Sequence, residues 1–291
     1  MTSNEDNTQD FYKVIPDQQA SEDESEEPRV VLDPDFFGDF LNWGYWTVET
    51  ETQIQACENL ANLVMDSIPK LEGKNLEVGC GHGGVTQMIA QRIDQELITA
   101  INIVEHQLEI CREKLPRASF VNMDASAMSF PDASFRNVVS VEAAHHFSSR
   151  EDFFRGVFRV LEPGGYLTLC DIIAHPLHGR RSHVADPRAY QELLMELGFC
   201  EVRVTDITAD STHAHADFVT GWLAQRRQQG QLSKADRELG ELGSIVRLAL
   251  SPFYVVARAR KPIEGRPSWR TRPNEHLDAC LLRTAKMARE A

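Results

Sequence analysis

The feature that most constrains the fold is a regular alternation of short apolar segments with amphipathic ones between residues 75 and 206. The short segments are rich in Val, Ile and Leu, which is typical of buried strands, and the longer ones place apolar residues at helical spacing. Strands that alternate with helices of this length form βαβ units, whose parallel sheet is covered on both faces. The sequence therefore predicts an α/β fold, a doubly wound and mostly parallel sheet of seven strands whose last strand is SPFYVVARARKP.

Charge and composition divide the chain into three parts. Residues 1–29 form an acidic leader that contains the run SEDESEEP, which repels itself and has nothing to bury, so we expect it to be disordered. Residues 30–262 form the predicted domain, with cap elements at 30–70 and at 213–250, the second of which we interpret as two helices. Residues 263–291 form a basic C-terminal extension with a short helical pattern near its end.

Net charge, apolar run length and cysteine spacing together limit the partners and compartments that we expect. With 30 Lys and Arg against 44 Asp and Glu, the net charge is −14, so we expect no nucleic-acid partner, because such binding rests on basic residues that neutralise phosphates. The chain shows neither a signal peptide nor an apolar run long enough to span a bilayer. Its six cysteines are scattered without a Cys-x-x-Cys pair. We therefore expect a cytoplasmic protein with no membrane partner.

A glycine-rich loop, LEVGCGHGG at residues 76–84, directly follows the first predicted strand of the sheet. Glycines at this point let the backbone turn tightly, approach a ligand closely and present the N–H groups of the following helix. The loop fits two patterns. Gly79, Gly81 and Gly84 satisfy the dinucleotide pattern G-x-G-x-x-G, whereas E-x-G-x-G-x-G is satisfied by Glu77, Gly79, Gly81 and Gly83.

The surrounding sequence favours the second pattern. A nicotinamide site usually has an acidic residue about 20 positions later, where this chain has Asn102. Asp124-Ala125 follows the third strand, FPDASFRNVVSVEAAHHF and LEPGGYLTLCDI contain the fourth and fifth, and an aromatic box, Asn-Trp-Gly-Tyr-Trp, precedes the domain. From residue 37 to residue 262 the chain thus resembles the class I S-adenosylmethionine (SAM) dependent methyltransferases. The branch with such a box includes small-molecule O-methyltransferases of natural-product pathways.

The resemblance implies a Rossmann-like fold, SAM as cofactor and S-adenosylhomocysteine (SAH) as product. It implies that the glycines of the loop back the methionine and ribose portions, that Asn102 and Gln107 meet the ribose, and that Asp124 and Ala125 meet the adenine. It places Glu77 and Glu142 near the methionine end, although a buried structural carboxylate is the alternative for Glu142. The box rings would close over the sulfonium, a cation favoured against aromatic faces, or else pack in the core: Trp43, Tyr45 and Trp46.

The candidate catalytic residues lie at the carboxyl ends of the fourth and fifth strands. A histidine can accept the proton of a hydroxyl at neutral pH, and a carboxylate can orient it. In similar enzymes the position of His146 is the usual base, Asp171 falls where an aspartate can support it, and His145 is a further candidate. The remaining histidines show no metal-ligand spacing, so we predict no metal, and we expect His213 and His215 to face solvent.

The predicted function is methyl transfer from SAM to a hydroxyl of a small molecule such as a polyketide or macrolide. The alternatives are a SAM-bound cyclase or isomerase on the same scaffold, N- or C-methylation, a non-catalytic SAM-binding partner protein, and a nicotinamide oxidoreductase. A given fold can host each of these activities. The sequence leaves the acceptor and the oligomeric state open.

Overall fold

The computed structural model describes residues 34–173, 184–230 and 252–263. The acidic leader lies outside these ranges, as do residues 174–183, the second helix predicted within 213–250, and almost all of the C-terminal extension. Most of the domain predicted at residues 30–262 lies inside them.

The domain is built on one seven-stranded sheet in the order β3-β2-β1-β4-β5-β7-β6. β7 is antiparallel to both of its neighbours, and the other adjacent pairs are parallel. The strands are β1 (Asn75–Val78), β2 (Ile98–Asn102), β3 (Ser119–Asn122), β4 (Phe135–Val141), β5 (Leu161–Ile173), β6 (Cys200–Asp206) and β7 (Phe253–Arg260). The predicted doubly wound, mostly parallel, Rossmann-like sheet is confirmed.

Helices cover both faces of the sheet. They are α1 (Pro34–Phe37), α2 (Gln53–Asp66), α3 (Gly84–Ala90), α4 (Glu105–Lys114), α5 (Arg150–Val160), α6 (Pro187–Glu196) and α7 (Ala214–Gln228). Side-chain caps fix where several of them begin. Thr52 accepts the N–H of Gln55 in a capping box at α2, and Ser149 accepts the N–H of Asp152 at α5.

The core consists of a layer on each side of the sheet. On one face α2 and α3 pack Leu60, Val64 and Ile89 against strand residues such as Val139 and Val256. On the other face α5 and α6 pack Phe154 and its neighbours against the opposite side of the same strands. Both faces are buried, which explains why consecutive residues of β1 and of most of β5 are buried rather than alternate ones.

The carboxyl ends of the parallel strands meet at one edge of the sheet, and the segment between α1 and α2 lies over that edge. Its backbone is tied to the turn after β6, because Trp46 donates its N–H to Asp210 O and the Ser211 hydroxyl donates to Gly44 O. This edge is where ligands bind in doubly wound sheets. Within the described ranges, no helix is long and apolar enough to cross a membrane.

Candidate cofactor and active site

The glycine loop packs directly against the turn that follows β4. Gly79 has φ +80°, a left-handed conformation that glycine adopts without strain, and a Cβ placed on it would lie 2.4 Å from the Cβ of Ala143. No other residue type fits here without moving one of the two loops. The close approach brings Glu142 and the histidine pair beside the loop that the sequence predicts to bind the cofactor.

Glu77 is a buried carboxylate in β1, two residues before Gly79. Its Oε2 atom has no hydrogen-bond partner in the part of the chain that the structure describes. Burial disfavours the charged form and raises the pKa of this carboxyl to about 8. A buried carboxyl oxygen without a donor is costly unless a ligand supplies one, so this group is suited to bind a cation.

The predicted ribose and adenine residues line the ends of β2 and β3. Asn102 ends β2 and donates from Nδ2 to Gln107 Oε1 at 2.6 Å, so these two polar side chains form the pair that the sequence suggested. Asp124 begins a short helical turn and accepts the Ser126 N–H at 2.7 Å, and Ala125 beside it is buried. The side chains that the resemblance assigns to the ribose and the adenine therefore lie at this edge.

The rings of the aromatic box have different environments. Trp43 and Trp46 are partly buried, and Trp46 Nε1 donates to Trp43 O at 3.0 Å. Tyr45 is buried in the core layer formed with α2, and its N–H donates to Ala56 O. Gly44 between them has φ +83° and lies so close to Ala56 that a Cβ would overlap it. The placement of Tyr45 favours the core-packing alternative for that ring.

Glu142 follows β4 and connects the box to the sheet. Its Oε2 atom accepts the backbone N–H of Trp43 at 2.7 Å and the hydroxyl of Tyr254, the second residue of β7. Glu142 has φ +51°, which is uncommon for a residue with a side chain. Strained backbone of this kind is found at functional sites, where the surrounding contacts hold it in place.

The histidine pair lies on a helical turn, Ala144–His146, just after Glu142. The two imidazole rings are 3.8 Å apart between centroids. Asp171 Oδ1 lies 3.5 Å from Nδ1 of His145, so the prediction that Asp171 directly supports His146 needs correction: among the described contacts its histidine partner is His145. The reason is that the Asp171 side chain, near the end of β5, points toward the turn after β4 and meets the first of its two histidines, His145.

Asp171 is also held by an ion pair that the sequence did not reveal. Arg150 Nε donates to Asp171 Oδ2 at 2.7 Å, the Tyr190 hydroxyl donates to the same oxygen at 3.0 Å, and the Ile172 N–H donates to Oδ1. Burial alone would raise the pKa of Asp171, but the Arg150 guanidinium outweighs it and holds the pKa far below its usual range. Asp171 is therefore a charged and fully satisfied carboxylate.

Comparison with known proteins identifies the family. A methyltransferase domain family model matches residues 76–169. The chain is 33% identical over 211 residues to phthiotriol/phenolphthiotriol dimycocerosates methyltransferase 1 of Mycobacterium ulcerans, covering 69% of this chain and 75% of that one. The chain belongs to the class I SAM-dependent methyltransferases.

Two further comparisons bear on the activity and the fold. This chain is 33% identical over 147 residues to the 27-O-demethylrifamycin SV methyltransferase of Amycolatopsis mediterranei. The aligned segment covers 48% of this chain and only 54% of that relative. The fold of this chain is similar to the crystal structure of the [4+2]-cyclase SpnF, with a TM-score of 0.59, 22% identity and coverage of 77% of this chain and 88% of that one.

The residues of this methyltransferase fit SAM. The unpartnered Glu77 oxygen offers an acceptor for the ammonium of the methionine portion, and the Asn102–Gln107 pair offers polar groups for the ribose hydroxyls. Among the described residues, no group of three His, Cys, Asp or Glu side chains is arranged to hold a metal ion.

Two residues at this site were missed by sequence reasoning. Tyr254 was assigned only to a strand, and His215, expected to face solvent, is buried with its Nδ1 atom 2.9 Å from Gln53 Oε1. Gln53 Nε2 donates to Asn42 O, so its Oε1 faces the imidazole as an acceptor and Nδ1 of His215 carries the proton. His213 is exposed as expected. Both missed contacts join residues more than 100 positions apart, which no local pattern signals.

Proposed function

We propose that this methyltransferase transfers the methyl group of SAM to a hydroxyl of a small-molecule natural product, such as a polyketide or macrolide, with His146 as general base. The observation that supports it is the contact between Gly79 and Ala143, which brings a pair of histidines next to the cofactor loop. O-methylation is favoured because a relative is named for 27-O-demethylrifamycin SV.

The chain's own residues would bind the cofactor from several strand ends. Gly79, Gly81 and Gly83 leave room beside the loop, and Glu77 takes the methionine ammonium. Asn102 with Gln107 holds the ribose, and Asp124 with Ala125 holds the adenine. Trp43 and Trp46 close the methionine end, where their faces favour a cation, and Tyr45 supports them from the core.

When bound, SAM supplies an electrophilic methyl group on a sulfonium. His146 would take the proton of the acceptor hydroxyl as the hydroxyl oxygen bonds to that methyl, the methyl–sulfur bond breaks and SAH leaves, and the cap would position the acceptor and exclude water. Arg150 contacts Asp171, Asp171 contacts His145, and the ring of His145 lies next to that of His146. Asp171 therefore acts on His146 only through His145.

Replacement of His146 by Ala tests this assignment. We expect turnover to fall about 100-fold or more, because general-base catalysis contributes on that order, while SAH affinity stays near that of the wild type. His145→Ala is the matched control on the same turn, and we expect a smaller loss because that ring acts indirectly. A larger loss in His145→Ala than in His146→Ala would reverse the two roles.

A second candidate is a cyclase or isomerase that uses the same scaffold with the cofactor bound passively. The similarity to SpnF, titled a [4+2]-cyclase, favours keeping it. Extract of a host strain lacking this gene would be incubated with the full chain and SAM, and metabolite masses and SAH would be followed together. A product heavier by one methyl group with matching SAH supports methyl transfer, and fragmentation then separates O- from N- or C-methylation. A product of unchanged mass without SAH supports the cyclase.

A further inference from the structure

Glu142 occupies a conformation that its surroundings must hold. Its φ of +51° lies in the left-handed region, and its N–H donates to Cys170 O in the neighbouring strand β5 at 3.1 Å. Holding a non-glycine residue there costs free energy, on the order of 1 kcal/mol or more. The side chain is buried at the edge of the sheet, next to the Ala143 that contacts the glycine loop.

Two donors from separate parts of the chain converge on one oxygen of this side chain. The Trp43 N–H comes from the aromatic box, and the Tyr254 hydroxyl comes from the start of β7. Both donate to Oε2, so together they restrict the plane of the carboxylate as well as its position. A hydrogen bond to a charged acceptor is stronger than one between neutral groups.

Tyr254 is itself rigid. Its ring is fully buried in the α2 layer, its N–H donates to Thr208 Oγ1 at 2.9 Å, and its ring centroid lies 6.1 Å from that of Trp43. Burial raises the pKa of its hydroxyl well above the usual value, so the group is protonated at neutral pH and can donate a hydrogen bond. The tyrosine therefore presents one fixed O–H to Glu142.

We propose that Tyr254 is a positioning residue, whose hydroxyl holds the Glu142 carboxylate in the orientation that receives the methionine end of the cofactor. This inference rests on the proposed function and adds to it that Glu142 meets the methionine end, as the family resemblance implies. Tyr254 acts through Glu142 and does not itself touch the cofactor. Its effect on binding must therefore disappear when the carboxylate is absent.

A double-mutant cycle on the full chain tests this inference, with SAH affinity measured by titration calorimetry and no acceptor present. The variants are Tyr254→Phe, which deletes one oxygen and keeps the ring, Glu142→Gln, and the double variant. We expect Tyr254→Phe to weaken SAH binding about 10-fold or more, as for loss of a hydrogen bond to a charged group. In the Glu142→Gln background we expect the same change to have little effect.

Thr168→Val is the matched control, because it also deletes a buried hydroxyl in the α2 layer but at a distance from the cofactor edge. Thr168 Oγ1 donates to Val64 O at 2.7 Å. We expect it to lower the unfolding midpoint and leave SAH affinity unchanged. A Tyr254→Phe variant that behaves like this control, or that is additive with Glu142→Gln, would overturn the positioning role. A wild-type chain without SAH affinity would instead overturn the proposed function itself, and the inference with it.

Discussion

Two buried carboxylates in neighbouring parts of the sheet, Glu77 in β1 and Asp171 in β5, have opposite electrostatics. Asp171 has a guanidinium, a hydroxyl and a backbone N–H within hydrogen-bond distance, and its pKa lies far below the usual range. Glu77 has a buried oxygen without a partner among the described residues, and burial raises its pKa to about 8. The same side-chain chemistry is thus satisfied in one place and left open in the other.

The difference separates a carboxylate that stabilises the fold from one that is suited to bind a ligand. A buried charge whose hydrogen-bonding positions are all occupied has none free for a ligand. Removal of one member of a buried ion pair leaves the other charge uncompensated. A buried carboxyl oxygen without a donor costs free energy until a cation arrives. On this basis we expect Asp171 to matter mainly for stability and Glu77 mainly for SAM.

The largest expected effect is that of Asp171→Asn on stability. It leaves the Arg150 guanidinium buried without a counter-charge, so the free energy of unfolding should fall by about 3 to 5 kcal/mol in chemical denaturation. The double variant with Arg150→Met should be less destabilised than the single one, since it removes both charges. A large loss of turnover with normal stability would contradict this comparison and favour the role that the sequence predicts for Asp171, which is to support the catalytic His146.

Glu77→Gln should change the pH dependence of both stability and SAH affinity. Because the folded pKa of about 8 exceeds the ordinary value of 4.5, the ligand-free protein is stabilised by protonated Glu77 at low pH and loses that contribution as the pH rises from about 4.5 through 8. The variant should lack this loss, which amounts to at most about 5 kcal/mol.

SAH affinity provides the second measurement on Glu77. In the wild type it should rise with pH up to about 8, because the methionine ammonium binds the ionised carboxyl, and calorimetry should show proton release on binding. Glu77→Gln should bind more weakly with a flat profile over the same range. Identical profiles for the two proteins would show that Glu77 does not contact the cofactor.

The smallest expected effect is that of Tyr190→Phe. It deletes one donor to Asp171 while Arg150 and the Ile172 N–H remain, so we expect a loss of about 1.5 kcal/mol in the free energy of unfolding and unchanged SAH affinity. The contrast with Tyr254→Phe, another tyrosine that donates to a buried carboxylate, compares the two kinds of site directly. A weaker SAH affinity in Tyr190→Phe would mean that Asp171 also affects the cofactor.

Much of the fold and part of the site were predictable from local sequence. The alternation of apolar and amphipathic segments predicted all seven strands, because strand and helix periodicities differ and each segment is long enough to show one. The family resemblance implied that Asn102 and Gln107 lie near each other, and the structure joins them by a hydrogen bond because both residues belong to one strand-helix unit. The backbone conformation at the end of β4 was not predictable, because Glu142 follows the strand in a left-handed conformation that its residue type does not favour.

The sequence by itself determined the sheet, the family and the glycine loop for which we propose cofactor binding, since short patterns of glycine, charge and hydrophobicity encode local backbone conformation. Only the tertiary structure decided which partner each buried polar group has. Asp171 lies beside Arg150 and His145 rather than His146, Tyr254 donates to Glu142, and His215 packs against Gln53. These contacts depend on how distant strands and helices are placed in space, and the charge state of a buried group follows from those contacts rather than from its residue type.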